Sequence, residues 1–320
     1  MSHHPISRRD FLSAASAAAV ASLGLPRSWA QSTAPASLQS AKSRIIDVHN
    51  NRVVSGVRVN ARRFREMLRQ ALISHSGQDA EAGAWQSIIG GSERIVIKGT
   101  GVGGEGIATA EPLVRGVVRS LLDAGYAPAQ IKLADLDPLR LQDLDVEMVE
   151  YGWTSEPVSF GEFRCPMAKW IAEADAIINI PFLTDHNIFS LAGCILNLAH
   201  PLLKHPATYY DDRRTEAIVA LAACDAIRPK VRLHLLNALR VVYAGGPAHR
   251  EQFTHAACRL MLSDDPVALD WGGFLLVDHL RLHYSAATGS AKIPDYILAA
   301  ARQGVGRAGY DHVNIDRIVL

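Results

Sequence analysis

From residue 94 onward the sequence alternates between short apolar runs and longer segments with apolar residues at helical spacing. Apolar runs of strand length occupy residues 94–98, 131–135, 176–180, 231–236, 258–262 and 313–319. Helical spacing lies between them, at residues 110–124, 188–198, 216–227, 265–280 and 295–303. This alternation predicts an α/β fold with a largely parallel sheet and helices on both faces. Ligands of such folds bind beyond the carboxyl ends of the strands.

The length predicts one α/β domain with insertions, because 320 residues are many for one simple domain and few for two large ones. An apolar fraction of 48% supplies a substantial core. Residues 31–43 have no periodicity and predict a flexible spacer, so the domain is expected over residues 44–320. Residues 60–74 predict an amphipathic helix that precedes the alternating part.

The first 30 residues resemble a twin-arginine export signal. Arg8 and Arg9 precede Phe11, an alanine-rich apolar run follows as far as Leu25, and small residues lie just before Gln31. The run is too short to span a bilayer, so we expect no stable membrane insertion. The expected location is the periplasm, with the twin-arginine translocase as a partner during export. A disordered tail that happens to contain two arginines is the alternative.

Charge and cysteine content exclude several classes of partner and cofactor. Basic and acidic side chains nearly balance, 33 against 32, so we expect no nucleic-acid partner. The four cysteines are too far apart in sequence for a Cys-x-x-Cys motif, so neither a cysteine-ligated iron–sulfur cluster nor a structural zinc site is expected. We expect Cys194 and Cys258 to be buried free thiols, and spacing leaves any disulfide pairing open.

A glycine-rich segment directly follows the strand predicted at residues 94–98. Its backbone N–H groups can turn toward an anion at low steric cost, which makes these glycines candidate ligand-binding residues: Gly99, Gly101, Gly103 and Gly104. A plain flexible loop is the alternative, and the dinucleotide-binding pattern here is weak. Lys98 ends the strand, where its ammonium would pair a substrate carboxylate or, with a lowered pKa, its neutral amine would act as a base. An exposed strand-end lysine is the alternative.

Histidines supply the other candidate groups. His186 follows the strand at residues 176–180, so a parallel sheet predicts it at the same edge as Lys98, as an acid/base group or a metal ligand. A histidine that caps a loop is the alternative. Together with His200 and His205 it forms a histidine-rich segment that could bind a transition metal, although no fixed spacing certifies this.

For another histidine pair and two aspartates, a structural role is an alternative to a functional one. His279 and His283 share a helix face, but the Glu of zinc proteases is missing between them, which favours a structural pair. Asp265 is expected to cap the helix that begins at Pro266. Asp270 lies further along that helix, where an unpaired buried carboxylate is costly, so we expect Lys98 or an arginine as its partner.

Eight blocks carry a resemblance to the domain-of-unknown-function 362 family over roughly residues 90–320. They are Ile97-Lys98, residues 112–115, 121–125 and 131–135, the strand 176–181 with His186, Gly193 and Asn197, Gly245-Gly246-Pro247, residues 263–270, and residues 296–306. The resemblance implies the fold and the position of the site, with Asn197 and Gly246 as ligand-binding residues. Three positions depart from the family pattern: Thr184, Leu196 and Asn237.

These observations together predict an exported enzyme or cofactor-handling protein that acts on a small anionic or carboxylate ligand. Lys98 and His186 are the predicted catalytic residues, with Asp270 in support, and the chemistry is acid/base or assisted by a metal. The alternative is a periplasmic protein that binds a metal or a small solute without catalysis.

Overall fold

The computed structural model describes residues 42–100, 111–199, 202–209, 213–284 and 291–320. The predicted export signal and most of the predicted spacer lie outside the described residues, as do Gly101, Gly103, Gly104 and His200. The strands are β1 Ser43–His49, β2 Val54–Ser55, β3 Arg58–Val59, β4 Ile95–Lys98, β5 Ile131–Ala134, β6 Glu147–Met148, β7 Val158–Phe160, β8 Phe163–Cys165, β9 Ala176–Asn179, β10 Phe182–Thr184, β11 Val231–Val242, β12 Thr254–His255, β13 Arg259–Ser263 and β14 Val313–Val319.

The α-helices of the described residues are α1 Ala61–Ser76, α2 Glu81–Ile89, α3 Glu111–Asp123, α4 Lys169–Glu173, α5 Cys194–Ala199, α6 Arg214–Ala222, α7 Pro266–Tyr284 and α8 Asp295–Arg302. Within this part of the chain no helix is both long and apolar enough to cross a membrane.

A central sheet organises the domain. Its strands follow the order β14-β1-β13-β11-β9-β4-β5-β6, and β10 and β12 also pair with β11. Neighbouring strands run parallel except where β12 or β13 is one of the pair. The largely parallel sheet predicted from the sequence is therefore confirmed.

Two apolar cores cover the two faces of this sheet. Helices α1 to α3 pack on one face, and helices α4 to α8 pack on the other. Successive strand residues alternate between the faces: Ile95 and Ile97 of β4 join the core of α1 to α3, whereas Val96 joins the other. Lys98 comes two residues after Val96, so its side chain lies on the face covered by α4 to α8.

Most predicted elements agree with the structure, but one helix does not. The helix predicted at residues 188–198 is present only as the short α5, because residues before it form a turn in which Thr184 and Ala192 pair backbone to backbone. The strand predicted at residues 231–236 continues to Val242. The sequence reading did not predict β1 as a strand, although β1 lies inside the sheet between β13 and β14.

Helix α7 begins as its sequence predicts. The Asp265 carboxylate accepts hydrogen bonds from the backbone N–H groups of Val267 and Ala268, both at 2.9 Å. Pro266 occupies the first helical position, where no intrahelical N–H donor is required. The predicted cap is confirmed, and it fixes the start of the helix that carries Asp270.

Candidate functional site

A row of polar side chains crosses the sheet at the carboxyl end of β4. Lys98 pairs in register with Asn179 of β9, and Asn179 pairs in register with His234 of β11. Residues directly opposite each other in neighbouring strands point to the same face. All three side chains therefore lie under α4 to α8, and all three are buried.

Lys98 is buried, and its ammonium has three acceptors. Nζ lies 3.0 Å from the backbone oxygen of Gly99, 3.1 Å from Asn197 Oδ1 and 3.4 Å from Asp135 Oδ2. Burial lowers the pKa of Lys98 to about 8, and the charge of Asp135 limits the decrease. Lys98 is therefore a cation at neutral pH that gives up its proton more readily than a surface lysine.

Asp135 is the loosest partner in this group. It follows β5 with a φ of 55°, in the left-handed region that residues other than glycine seldom adopt. Its Oδ2 atom is buried, and among the described residues it has the Lys98 contact but no well-aligned hydrogen bond. Its side chain is 21% exposed, against 2% for Lys98. This partly exposed carboxylate thus has one buried oxygen whose hydrogen-bonding capacity the described residues leave unused.

Asn197 joins Lys98 to the row across the sheet. Its Oδ1 atom accepts from Lys98 and from the Thr100 hydroxyl, which lies 2.5 Å away. Its Nδ2 atom donates to Asn179 Oδ1 at 2.8 Å and to the backbone oxygen of Gly99 at 3.3 Å. We call Lys98, Thr100, Asp135, Asn179, Asn197 and His234 the lysine cluster. The structure thus brings together the predicted site residues Lys98, Gly99 and Asn197.

Gly99 occupies a place that a larger residue would not fit without a shift. A Cβ atom there would collide with the side chain of Leu136. The Gly99 backbone meanwhile serves both neighbours, because its oxygen accepts from Lys98 and Asn197 and its N–H donates to Ala134. The predicted binding role of its N–H toward an anion is not visible here, since that N–H extends the pairing of β4 with β5.

Tyr151 lies beside the exposed side of the lysine cluster. Burial raises the pKa of its phenol, and the nearby Asp135 carboxylate adds to the increase. The residue as a whole is 68% exposed. Thr100, Asp135 and Asn197 are likewise only partly buried, whereas Asn179 and His234 lie inside. Within the described residues, the cluster is therefore most exposed on the side of Asp135 and Tyr151.

His186 lies in a different part of the sheet from Lys98. Thr184, two residues before it, pairs with Val242, eight residues further along β11 than the partner of Asn179. The register shifts between Phe182 and Thr184, and the five residues from Asn179 to Thr184 span at most about 18 Å when fully extended. The segment between them, residues 180–184, is buried. The expectation that His186 and Lys98 share one edge is wrong because β10 continues along β11 after β9, which carries His186 beyond the lysine cluster.

The surroundings of His186 match the loop-capping alternative. Its Nδ1 atom accepts from the backbone N–H groups of Ile188 at 3.1 Å and Phe189 at 3.4 Å. The preceding residue, Asp185, forms an ion pair with Arg281 and accepts from the N–H of Gly246 at 2.8 Å. Gly246 therefore belongs to this second region, and the structure does not bring it to the lysine cluster.

Asp270 also lies apart from Lys98. The expectation that Lys98 or an arginine pairs with it is wrong. Its carboxylate accepts from the backbone N–H groups of Cys194 at 2.5 Å and Ile195 at 3.1 Å, and from the Tyr296 hydroxyl at 3.1 Å. These N–H groups open helix α5, whose first turn has no intrahelical acceptors for them. We call Asp270, Cys194, Ile195 and Tyr296 the Asp270 pocket.

Burial dominates the electrostatics of the Asp270 pocket. It raises the pKa of Asp270 to about 6, and the hydrogen bonds from the two amides and Tyr296 limit the increase. Burial beside this carboxylate also raises the pKa values of the Cys194 thiol and the Tyr296 phenol well above their usual range. Asp270 is thus a structural cap of α5, which in turn holds Asn197 beside Lys98.

The described histidines do not assemble the predicted metal ligands. His205 is exposed, His200 lies outside the described residues, and Nδ1 of His186 is already an acceptor for two amides. Across the described ranges, no group of three or more His, Cys, Asp or Glu side chains is placed to hold a metal ion. His279 and His283 do share a helix face, with parallel rings 6.2 Å apart.

All four cysteines are buried free thiols. This confirms the expectation for Cys194 and Cys258, and it extends the same state to Cys165 and Cys224. Burial raises the pKa values of Cys224 and Cys258 as well as that of Cys194. Thiols with raised pKa values are poor nucleophiles at neutral pH, so these three do not extend the candidate site.

Four members of the lysine cluster were not predicted from the sequence. Asp135 directly follows β5 and Asn179 ends β9 as Lys98 ends β4, so the carboxyl-end rule applied to every strand would have found both. Thr100 lies two residues after Lys98, in the segment already singled out for its glycines. His234 is a polar residue within an apolar strand, and only the register with Asn179 shows its role.

Comparisons with known proteins identify the family to which the chain belongs. A search of curated proteins returned no match. The family model described as "Domain of unknown function (DUF362)" matches residues 102–274, which is more than half of the chain. Four members of the lysine cluster lie within the matched range, and Lys98 and Thr100 lie just before it. The chain therefore belongs to the DUF362 family.

Proposed function

We propose that the protein is an enzyme that transfers a proton at a carbon beside the carboxylate of a small ligand, with the lysine cluster as its active site. One observation carries this proposal: a buried lysine with a lowered pKa faces a carboxylate whose Oδ2 atom has no well-aligned hydrogen bond among the described residues. Acid/base sites combine such perturbed groups at the carboxyl ends of parallel strands.

The arrangement suggests a role for each group. The ligand carboxylate replaces the 3.4 Å contact between Asp135 and Lys98, which is the longest of the three contacts of Nζ. Asp135 then takes the proton from the neighbouring carbon, and the electron pair of the broken C–H bond moves onto the carboxylate oxygens. The Lys98 ammonium stabilises the negative charge that develops there. Asn197 and the Gly99 carbonyl hold the ammonium in place.

Exchange with solvent tests this chemistry without knowledge of the physiological substrate. The protein is incubated in D2O with a panel of probes: lactate, malate and succinate. We expect NMR to show loss of a C–H signal beside a carboxylate for at least one probe. Lys98→Met and Asp135→Asn should each abolish this loss, while Lys132→Met, a surface lysine of the adjacent strand, should retain it. Equal exchange in Lys98→Met and the unmodified protein would contradict the assignment.

A binding protein without catalysis is the second candidate. The three protein acceptors around Lys98 favour it, because an ammonium held by two hydrogen bonds and an ion pair serves well as a fixed countercharge. The same panel separates the two functions. A probe that stabilises the protein against unfolding but loses no C–H signal in D2O indicates solute binding alone.

We also propose that the protein is exported to the periplasm by the twin-arginine route. The support is the order of Arg8, Arg9, Phe11, the apolar run and the small residues before Gln31. Replacing both arginines by lysine should leave the full-length precursor in the cytoplasm, as cell fractionation would show. Release of the double variant into the periplasm with normal processing would contradict this route.

A further inference from the structure

His234 lies at the buried end of the lysine cluster and does not touch Lys98. Its Nδ1 atom is 2.9 Å from Asn179 Nδ2, and Asn179 Oδ1 is 2.8 Å from Asn197 Nδ2. Asn197 Oδ1 in turn faces Lys98 Nζ at 3.1 Å. Two amides thus connect the imidazole to the ammonium.

The direction of each hydrogen bond follows from fixed groups at both ends. An ammonium can only donate, so Asn197 must turn Oδ1 toward Lys98. Its Nδ2 atom then donates to Asn179 Oδ1, which leaves Asn179 Nδ2 to donate to His234 Nδ1 and to the backbone oxygen of Cys194 at 3.1 Å. Nδ1 of His234 must therefore carry no proton, and the proton of the neutral ring resides on Nε2.

A protonated His234 would reverse this order. Its Nδ1–H would face the NH2 group of Asn179, which is itself a donor. A flip of Asn179 would relieve that conflict, but it would turn an NH2 group toward Asn197 Nδ2 and favour a flip of Asn197 as well. Lys98 would then face a donor in place of an acceptor. No described residue gives the ring a charged partner, and its burial lowers the pKa of His234 to about 3.

We propose that His234 is a positioning residue for Lys98: as the neutral Nε2–H tautomer it fixes the direction of both amides, so that an oxygen acceptor faces the ammonium. This inference deepens the proposed function, because it rests on Lys98 as the central group of the site. Asp135 is the carboxylate that faces Lys98 from β5, and from α5 the neighbour is the uncharged Asn197.

The tautomer itself is the first measurement. Nitrogen-15 NMR of the unmodified full chain at pH 7 should show His234 with an unprotonated Nδ1 and a protonated Nε2. The reverse tautomer or a charged ring would overturn the proposal. This measurement requires no variant, so it tests the proposal even if a substitution at residue 234 prevents folding.

The second measurement follows Lys98 in two variants. His234→Asn places an amide oxygen near the position of Nδ1 and retains the acceptor, whereas His234→Leu removes it. We expect NMR titration of Lys98 to give an unchanged pKa in His234→Asn and a fall of about one unit in His234→Leu, because an ammonium that loses a well-placed acceptor becomes more acidic. The same pKa in both variants would overturn the proposal.

These results are distinguishable from failure of the proposed function. The titration is carried out without a ligand, so it reports only how His234 acts on Lys98. Loss of C–H exchange in every probe would defeat the acid/base proposal and leave the tautomer result standing. An altered Lys98 titration without any change in exchange rate would show that the positioning is real but not used for proton transfer.

Discussion

The lysine cluster and the Asp270 pocket are both buried polar groups on the same face of the sheet, and both contact helix α5. They differ in how completely their charges are satisfied. Asp270 accepts three hydrogen bonds and is 0% exposed. In the lysine cluster, Asp135 has a loose contact with Lys98 and partial exposure. Burial of a charged residue alone therefore does not identify a site, whereas a buried cation that faces an incompletely hydrogen-bonded carboxylate marks a candidate site.

The largest expected effect is on how the unfolding free energy depends on pH, and it differs between the two regions. His234 has a pKa near 3 in the folded protein and 6.5 as its reference value, so the unfolded chain binds its proton first as the pH falls. Its contribution to stability is complete above pH 6.5 and is lost toward pH 3, by up to about 5 kcal/mol. Urea unfolding at several pH values should show that His234→Asn has a flatter acid limb. Parallel limbs would contradict the burial of a neutral ring.

Asp270 should produce the opposite slope. Its pKa is raised from 3.8 to about 6, so folding favours the protonated carboxyl, and this contribution is complete below pH 3.8 and lost as the pH rises to 6. The difference in unfolding free energy between the unmodified protein and Asp270→Asn should decrease by about 3 kcal/mol from pH 3.8 to pH 6. A difference that stays constant over this range would mean that Asp270 titrates normally.

Two glycines provide a matched comparison of packing. A Cβ at Gly193 would collide with the buried carboxylate of Asp270, whereas a Cβ at Gly99 would meet the outer atoms of the partly exposed Leu136 side chain. We expect Gly193→Ala to lower the unfolding free energy by about 1–3 kcal/mol and Gly99→Ala to lower it by less, because Leu136 can move. Equal losses in chemical denaturation would show that the lysine cluster is packed as rigidly as the Asp270 pocket.

The smallest expected effect tests how much a hydrogen bond stabilises the Asp270 carboxylate. Tyr296→Phe removes one of its three hydrogen bonds and should cost about 1 kcal/mol of unfolding free energy. In an Asp270→Asn background the same change should cost less, because the acceptor is then uncharged. A double-mutant cycle measured by urea denaturation gives this coupling directly. A coupling of zero would show that the hydroxyl contributes nothing to holding the carboxylate.

The sequence predicted the α/β fold because the apolar runs and the helical segments are separate and regular. It also placed Lys98 at the end of β4, since strand ends follow from the run of apolar residues that precedes them. It could not place His186, because the tandem arrangement of β9 and β10 along β11 depends on long-range pairing. It missed His234 for the same reason: a single polar residue in an apolar strand has no local signal that names its partner.

Asp270 shows another limit of reasoning from sequence. The cost of burying its charge correctly required a partner, but backbone N–H groups at the start of α5 fill that role as well as a cation does. The helix predicted to begin at residue 188 begins at Cys194 instead, so its free N–H groups lie where the sequence reading placed an unbroken helix interior. An error in one helix boundary thus led to an error in the role of a residue far away in sequence.

We propose that ligands bind at the lysine cluster, and we assign a structural role to the Asp270 pocket. Thermal and urea unfolding with and without the carboxylate panel tests this contrast most directly, in the unmodified protein, Lys98→Met and Asp270→Asn. A probe at 100 times its dissociation constant should stabilise the unmodified protein by about 2.7 kcal/mol. We predict that Asp270→Asn retains this increment and that Lys98→Met loses it. Retention in Lys98→Met together with loss in Asp270→Asn would contradict the account.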